Sequence, residues 1–143
     1  MTPATNCGAM ADTVVVDASA MVDLLLGSER SELIRASLNG RSLVAPAHFD
    51  VEVMSAIGRL QRASDLTEEG ARFRVERLAT APIDRVPVAQ LLLGAWARRD
   101  NTRLADALYI ELAEELDTVV VTTDLRLARA HPTRTHTPKA ADE

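Results

Sequence analysis

Two kinds of hydrophobic run alternate along this chain. Residues 14–16 and 119–121 are valine triplets without polar alternation, which read as strands buried on both faces, the habit of a parallel sheet covered by helices. Between them, apolar residues recur at helical spacing. Residues 18–26 predict a helix that Gly27 ends, and Ser28 with Glu32 opens a second helix running to Leu38 before an Asn39-Gly40 turn. A short apolar strand over 42–45 leads to Pro46, where a new helix can begin nearby. Phe49, Val53, Ala56, Ile57 and Leu60 then follow the i, i+4, i+7, i+8, i+11 spacing of one buried face, which makes residues 49–62 the clearest helix in the chain.

The second half continues the alternation. Thr67 is a candidate cap for a strongly charged helix through Arg77, residues 83–86 form a small strand between two prolines, and residues 88–99 predict a helix carrying Trp96. After an Asp100-Asn101-Thr102 break, a helix over residues 103–116 gathers Leu104, Leu108, Tyr109, Leu112 and Leu116 on one side. Glu111, Glu114 and Glu115 cluster on the other and read as a solvated face. Residues 118–122 repeat the opening strand, residues 125–130 form a short helix, and the tail from His131 has room for one last edge strand. Alternation of this kind implies an α/β fold with right-handed crossovers. With 143 residues, 47% of them hydrophobic, the chain fits one domain with a substantial core. The expected boundaries are a flexible extension over 1–12, the domain over 13–137 and a tail over 138–143.

Charge and composition remove some options. A net charge of -5 argues against binding nucleic acid by bulk electrostatics. The basic residues are all arginine except Lys139, however, and the planar fork of arginine suits bidentate contacts to phosphate. Cys7 is the only cysteine, so no internal disulfide forms. The first dozen residues lack the basic start and apolar segment of a secretory leader, and no run approaches the ~20 apolar residues that span a bilayer. The expectation is a cytoplasmic protein without membrane contact, with Met10 as a candidate start just before the first strand.

The chemistry lies in acids. Asp17 and Asp124 follow the two valine-rich strands, and the crevice beyond strand ends is where open α/β sheets bind ligands. Asp106 lies near the start of its helix, on the border of the apolar face, where the helix dipole favours a carboxylate. Asp50 and Glu52 fall on opposite edges of the stripe over 49–62, and periodicity does not choose between them. An acid after a strand can be only a helix cap, but capping explains neither Glu52 nor Asp106. Carboxylates gathered in one place repel unless a cation neutralises them, and an all-oxygen set suits Mg²⁺ or Mn²⁺. His48, His131 and His136 show no ligand spacing with each other or with Cys7, which disfavours zinc. A D-x-D phosphatase would need an acid where Ser19 stands. A phosphate-accepting receiver would need an acidic pair before the strand and a lysine late in the sheet, and neither occurs.

Four stretches, V-V-V-D-A-S-A at Asp17, F-D-V-E-V-M-S-A-I at Glu52, R-L-A-D-A-L-Y-I-E-L-A at Asp106 and V-V-V-T-T-D-L-R-L at Asp124, carry a family resemblance. In this order and spacing the chain resembles the PIN-domain ribonucleases, specifically the VapC toxins of bacterial VapBC toxin-antitoxin modules. The resemblance implies a three-layer α/β/α sandwich with a mostly parallel central sheet of four to five strands. It implies a Mg²⁺- or Mn²⁺-dependent endoribonuclease that cleaves RNA by metal-activated water and is held inactive by a VapB-type antitoxin. A catalytically silent PIN-fold RNA-binding or regulatory module is the alternative. Asp17, Glu52, Asp106 and Asp124 match the acidic, metal-binding set of the family, and the match favours Glu52 over Asp50. Ser19 and Thr122 match supporting hydroxyl positions, and Arg103 and Arg126 are candidate substrate contacts. Family members also form homodimers, for which Leu24, Leu25, Leu33 and Leu38 offer surface unless they are core. Phe73, Trp96 and Tyr109 are scattered, which suits core or interface better than base stacking. Arg72, Arg74 and Arg77 read as a solvated or partner-facing face.

Overall fold

The computed structural model describes residues 12–140. The extension up to residue 11, with Cys7 and Met10, and the last three residues of the tail lie outside the described residues. Five strands form one parallel sheet: β1 (Thr13–Val16), β2 (Ser42–Pro46), β3 (Ile83–Val86), β4 (Val120–Val121) and β5 (Thr135–His136), in the order β3-β2-β1-β4-β5. Seven α-helices surround it among the described residues: α1 (Ala18–Leu26), α2 (Ser31–Leu38), α3 (Phe49–Arg62), α4 (Glu68–Ala79), α5 (Leu92–Trp96), α6 (Leu104–Leu116) and α7 (Leu125–Ala130). The helices α1 to α4 pack on one another, while α5 and α6 pack together and α6 lies against β1, β2 and β4. This is the three-layer sandwich expected. The core joins the strand valines Val14, Val15, Val16, Val120 and Val121 to Phe49, Val53 and Ile57 of α3 and to Leu108, Tyr109 and Leu112 of α6.

The sheet order contains a reversal. From β1 the chain moves outward through β2 to β3, then returns to place β4 on the other side of β1. Adjacent strands that diverge in this way leave a crevice at their carboxyl ends, the switch point where open α/β sheets place ligands. Asp17 stands there, one residue beyond β1.

Several elements differ from the sequence reading, each for a local reason. The helix expected over 88–99 opens as a 3-10 turn, Val88–Leu91, after Pro87 and is α-helical only over α5. The second helix starts at Ser31, because Ser28 spends its hydroxyl on the Arg30 amide in the preceding turn at 3.3 Å. Glu111 is not part of a solvated face. Its side chain is 16% exposed, forms an ion pair with Arg98 and lies against Gly94, where any Cβ would meet the carboxylate. Of the leucines offered as dimer surface, Leu38 is buried, Leu24 and Leu25 are half-buried against the core cluster, and Leu33 is half-buried. Phe73 and Trp96, by contrast, are exposed, each with an arginine over its ring, Arg77 at 5.8 Å and Arg99 at 4.8 Å.

Asp50 and Glu52 part company in the fold. The guanidinium of Arg85, on β3, donates to both oxygens of Asp50 at 3.0–3.2 Å and to the carbonyls of Leu78, Ala81 and Ile83 at 2.7–3.0 Å. One side chain thus ties the start of α3 to the end of α4 and to its own strand, and Asp50 is a fastener on the far side of the helix from Glu52. Arg85→Ala removes this network and leaves carbonyls without donors. It is expected to lower the unfolding free energy by about 2–4 kcal/mol. Urea denaturation followed by circular dichroism measures this, and a loss within experimental error would contradict the fastening role.

Candidate functional site

The register of the sheet decides where each acid stands. Val15 pairs with Val120 and Val16 with Val121, so the next level brings Asp17 beside Thr122 rather than beside another acid. The Asp17 amide donates to the Val121 carbonyl at 3.0 Å, continuing the ladder by one bond. Thr122 donates its hydroxyl to Asp17 Oδ2 at 2.7 Å, and Ser19, in the first turn of α1, donates to the same oxygen at 2.6 Å. The two hydroxyls lie 3.1 Å apart. They are held in turn by backbone, since the Thr123 amide donates to Ser19 Oγ and the Asp124 amide to Thr122 Oγ1, both at 3.0 Å. Asp17 is only 6% exposed, and Oδ2 carries both hydroxyl bonds while Oδ1 takes none.

Glu52 and Asp106 arrive on the first turns of α3 and α6. Both helices begin at the carboxyl rim of the sheet, and their dipoles favour negative charge there. Tyr109, fully buried on α6, donates its hydroxyl to Glu52 Oε1 at 2.6 Å. Among the described residues no hydrogen bond or ion pair engages the Asp106 carboxylate. Burial is the main reason that the Asp17 carboxyl is pushed above its ordinary value of 3.8; its two hydroxyl bonds oppose the shift, and the negative charges of Asp106 and Glu52 add to it. Burial, then the charge of Asp17 and the bond to Glu52, drives the Tyr109 phenol far upward, so it remains a donor throughout the physiological range.

Asp124 stands apart. It caps α7, with Oδ1 accepting from the amides of Arg126 at 2.9 Å and Leu127 at 3.4 Å, and Oδ2 from the Arg126 guanidinium at 3.2 Å. Partial burial works against ionisation, but the Arg126 side chain and the two amides prevail and hold the carboxyl below its ordinary value. The two valine triplets are level with each other, yet Asp17 follows its triplet at once and Asp124 follows two threonines later. The acid therefore falls beyond the strand end and Thr122 takes the matching place. Of the candidate substrate contacts, Arg126 is exposed and paired with Asp124, and Arg103 is exposed at the N-cap of α6.

Asp17, Glu52 and Asp106 thus converge electrostatically at the switch point, with Asp124 on its border. Among the described residues no three Asp, Glu, His or Cys side chains are grouped so that they could hold a metal ion by themselves. The donor set nonetheless fits a hard cation that retains water: the donors are carboxylate oxygens, and Asp17 is buried beside two like charges with one oxygen unpaired. Mg²⁺ is commonly held by one or two carboxylates with waters and a substrate phosphate rather than by an all-protein cage. Tyr109, read from the sequence as core or interface, and His48, read there as no zinc ligand, both lie against these acids. The available signal was a tyrosine on a leucine stripe, one turn after Asp106, where a buried hydroxyl demands a partner.

Because the folded state binds the Asp17 proton more tightly than the unfolded chain, its carboxylate destabilises the metal-free fold above the raised pKa. That penalty fades as pH falls toward 3.8. Asp17→Asn, and likewise Asp106→Asn, should therefore raise the melting temperature in a chelator near neutral pH, with the Asp17→Asn gain shrinking as the buffer is acidified. A metal-free melt of either variant below that of the parent at neutral pH would contradict the crowding of charge.

The family model for the PIN domain matches residues 14–131. Ribonuclease VapC3 of Mycobacterium tuberculosis is 54% identical over 122 residues, which span 85% of this chain and 89% of that protein. Ribonuclease VapC12 of the same organism is 34% identical over 118 residues, covering 82% of this chain and 92% of that protein. Among solved structures, a toxin-antitoxin complex from Klebsiella pneumoniae superposes with a TM-score of 0.64 over 88% of this chain and 98% of that one. At 16% identity this is a likeness of fold. The resemblance carried by the four acid-bearing stretches is therefore one of descent as well as pattern, and the chain belongs to the PIN-domain family, among the VapC ribonucleases.

Proposed function

We propose that this chain is the toxin of a type II toxin-antitoxin module and a Mg²⁺- or Mn²⁺-dependent endoribonuclease. The observation that carries the reading is the convergence of Asp17, Glu52 and Asp106 on the switch point of the sheet, in a chain 54% identical to Ribonuclease VapC3. Asp17, Glu52 and Asp106 would hold the divalent ion, and Asp124, on the border of the site, would join them by exchanging its pairing with Arg126 for the ion. Bound there, a divalent ion would supply Lewis acidity that makes water a better nucleophile and offsets charge on the leaving oxygen. Asp17 offers its unpaired oxygen while Ser19 and Thr122 fix its rotamer through the other. A carboxylate not occupied by the ion accepts the proton of the attacking water. Arg103 and Arg126, both exposed, contact RNA phosphates, so binding weakens as salt rises despite the acidic total charge.

A VapB-type antitoxin as partner and a homodimer complete the reading. Exposed apolar residues support it: Leu92, Leu93, Trp96 and Leu104 line one face of α5 and α6, with Leu93 86% exposed. Among the described residues no helix is long and apolar enough to cross a membrane, which accords with a cytoplasmic site of action.

Cleavage of an end-labelled RNA by the purified chain in Mg²⁺ or Mn²⁺ tests the activity. Ser19→Ala or Thr122→Val is expected to slow cleavage by about 10–100-fold, and Asp17→Asn by more. Chelation should abolish it, and undiminished cleavage by a metal-free sample would sink the mechanism. A chain that holds RNA without cutting it in either ion would instead be the silent PIN-fold module.

A further inference from the structure

Glu52 and Asp106 reach the site on different helices, and two side chains cross between those helices at this level in opposite directions. From α6, Tyr109 sends its hydroxyl to Glu52 Oε1 on α3 at 2.6 Å. From the N-cap of α3, His48 sends Nε2 to the carbonyl of Ala105, the neighbour of Asp106, at 2.9 Å. A carbonyl only accepts, so Nε2 carries the proton, and Nδ1 is buried without a partner. The His48 and Tyr109 rings lie 5.0 Å apart between centroids, tilted at 51°. His48 Nε2 is 3.5 Å from Glu52 Oε1, too long to compete with Tyr109 for that oxygen.

A phenylalanine would fill the Tyr109 position of the apolar stripe equally well. The hydroxyl is buried polar surface that is costly without a partner. Its partner is the flexible carboxylate of Glu52, whose other oxygen stays unpaired. Resting on the reading of these acids as divalent-ion ligands, we propose that Tyr109 is a positioning residue for Glu52. It holds one oxygen so that the other is presented to the ion beside Asp106, and the His48–Ala105 bond sets the spacing of the two helices. Glu52 is thus ordered before an ion arrives, and binding need not immobilise it.

The test is a MnCl₂ titration of the full-length chain followed by thermal melting, because an ion that binds only the folded state raises the melting temperature logarithmically once its concentration exceeds the dissociation constant, and the concentration at which that rise sets in is the Mn²⁺ midpoint. Parent, Tyr109→Phe, Glu52→Gln and the double variant are compared. Tyr109→Phe is expected to shift the Mn²⁺ midpoint upward by about 10-fold, and the double variant to match Glu52→Gln alone. A Tyr109→Phe midpoint equal to that of the parent overturns the proposal, as does a double variant in which the two shifts add. His48→Gln serves as the second variant should Tyr109→Phe not fold; it is expected to shift the midpoint in the same direction, and an unshifted value overturns the proposal there. A parent chain that Mn²⁺ does not stabilise refutes the metal reading itself, and the inference with it, which separates that failure from a failure of Tyr109 alone.

Discussion

In a sheet whose strands all run the same way, every strand end, and the start of each helix that follows a strand, falls on one rim. This directional constraint governs the rest of the molecule. It brings the positive ends of α1, α3 and α7 to the rim that holds Asp17, Glu52 and Asp124, and α6 adds Asp106 from its own first turn. Carboxylates that would repel one another in isolation gain partial compensation from helix dipoles before any ion arrives. The sheet reversal between β1 and β4 then opens the crevice at the centre of that rim, so topology and electrostatics select the same place.

The polar contacts around the site divide into two kinds of work. Arg85 with Asp50, and Arg98 with Glu111, join helices at a distance from the acids and leave no carboxylate oxygen in surplus at the switch point. The bonds from Ser19, Thr122 and Tyr109 each occupy one oxygen of an acid and leave the other unpaired. Neutral donors suit the second task. A guanidinium in their place would neutralise the acid and compete with a cation, as Arg126 does at Asp124. The acids nearest the crevice are thus restrained without being discharged, and the one on its border is discharged by an exposed arginine.

Much of this was legible in the residues because the longest periodic segments were strongly patterned. The stripe from Phe49 to Leu60 and the valine triplets identify their elements without help from tertiary contacts, and the four acid-bearing stretches identify the family. What escaped depended on distances between segments. Periodicity placed Asp50 and Glu52 on opposite edges of a stripe, the family resemblance favoured Glu52, and the position of Arg85 on a neighbouring strand shows what Asp50 does instead. The likeness of V-V-V-D to V-V-V-T-T-D suggested equivalent acids, whereas register aligns valine with valine and pushes Asp124 past the strand. Trp96 and Phe73 lie outside the core, since a short helix and a charged one each leave a side uncovered. Glu111 looked solvated because its partner Arg98 belongs to the segment after α5.

The carboxylate of Asp17 is chemically divided by its surroundings. One oxygen closes the junction between β1 and the segment after β4 through two hydroxyls, and the other remains available. A change at this position that kept the charge but lengthened the side chain would disturb the junction, and one that kept the junction but lost the charge would silence the free oxygen. Folding and chemistry therefore screen the same three-atom group independently, so a lineage that abandoned catalysis would still keep an oxygen acceptor here, and the acid alone would be a poor marker of activity.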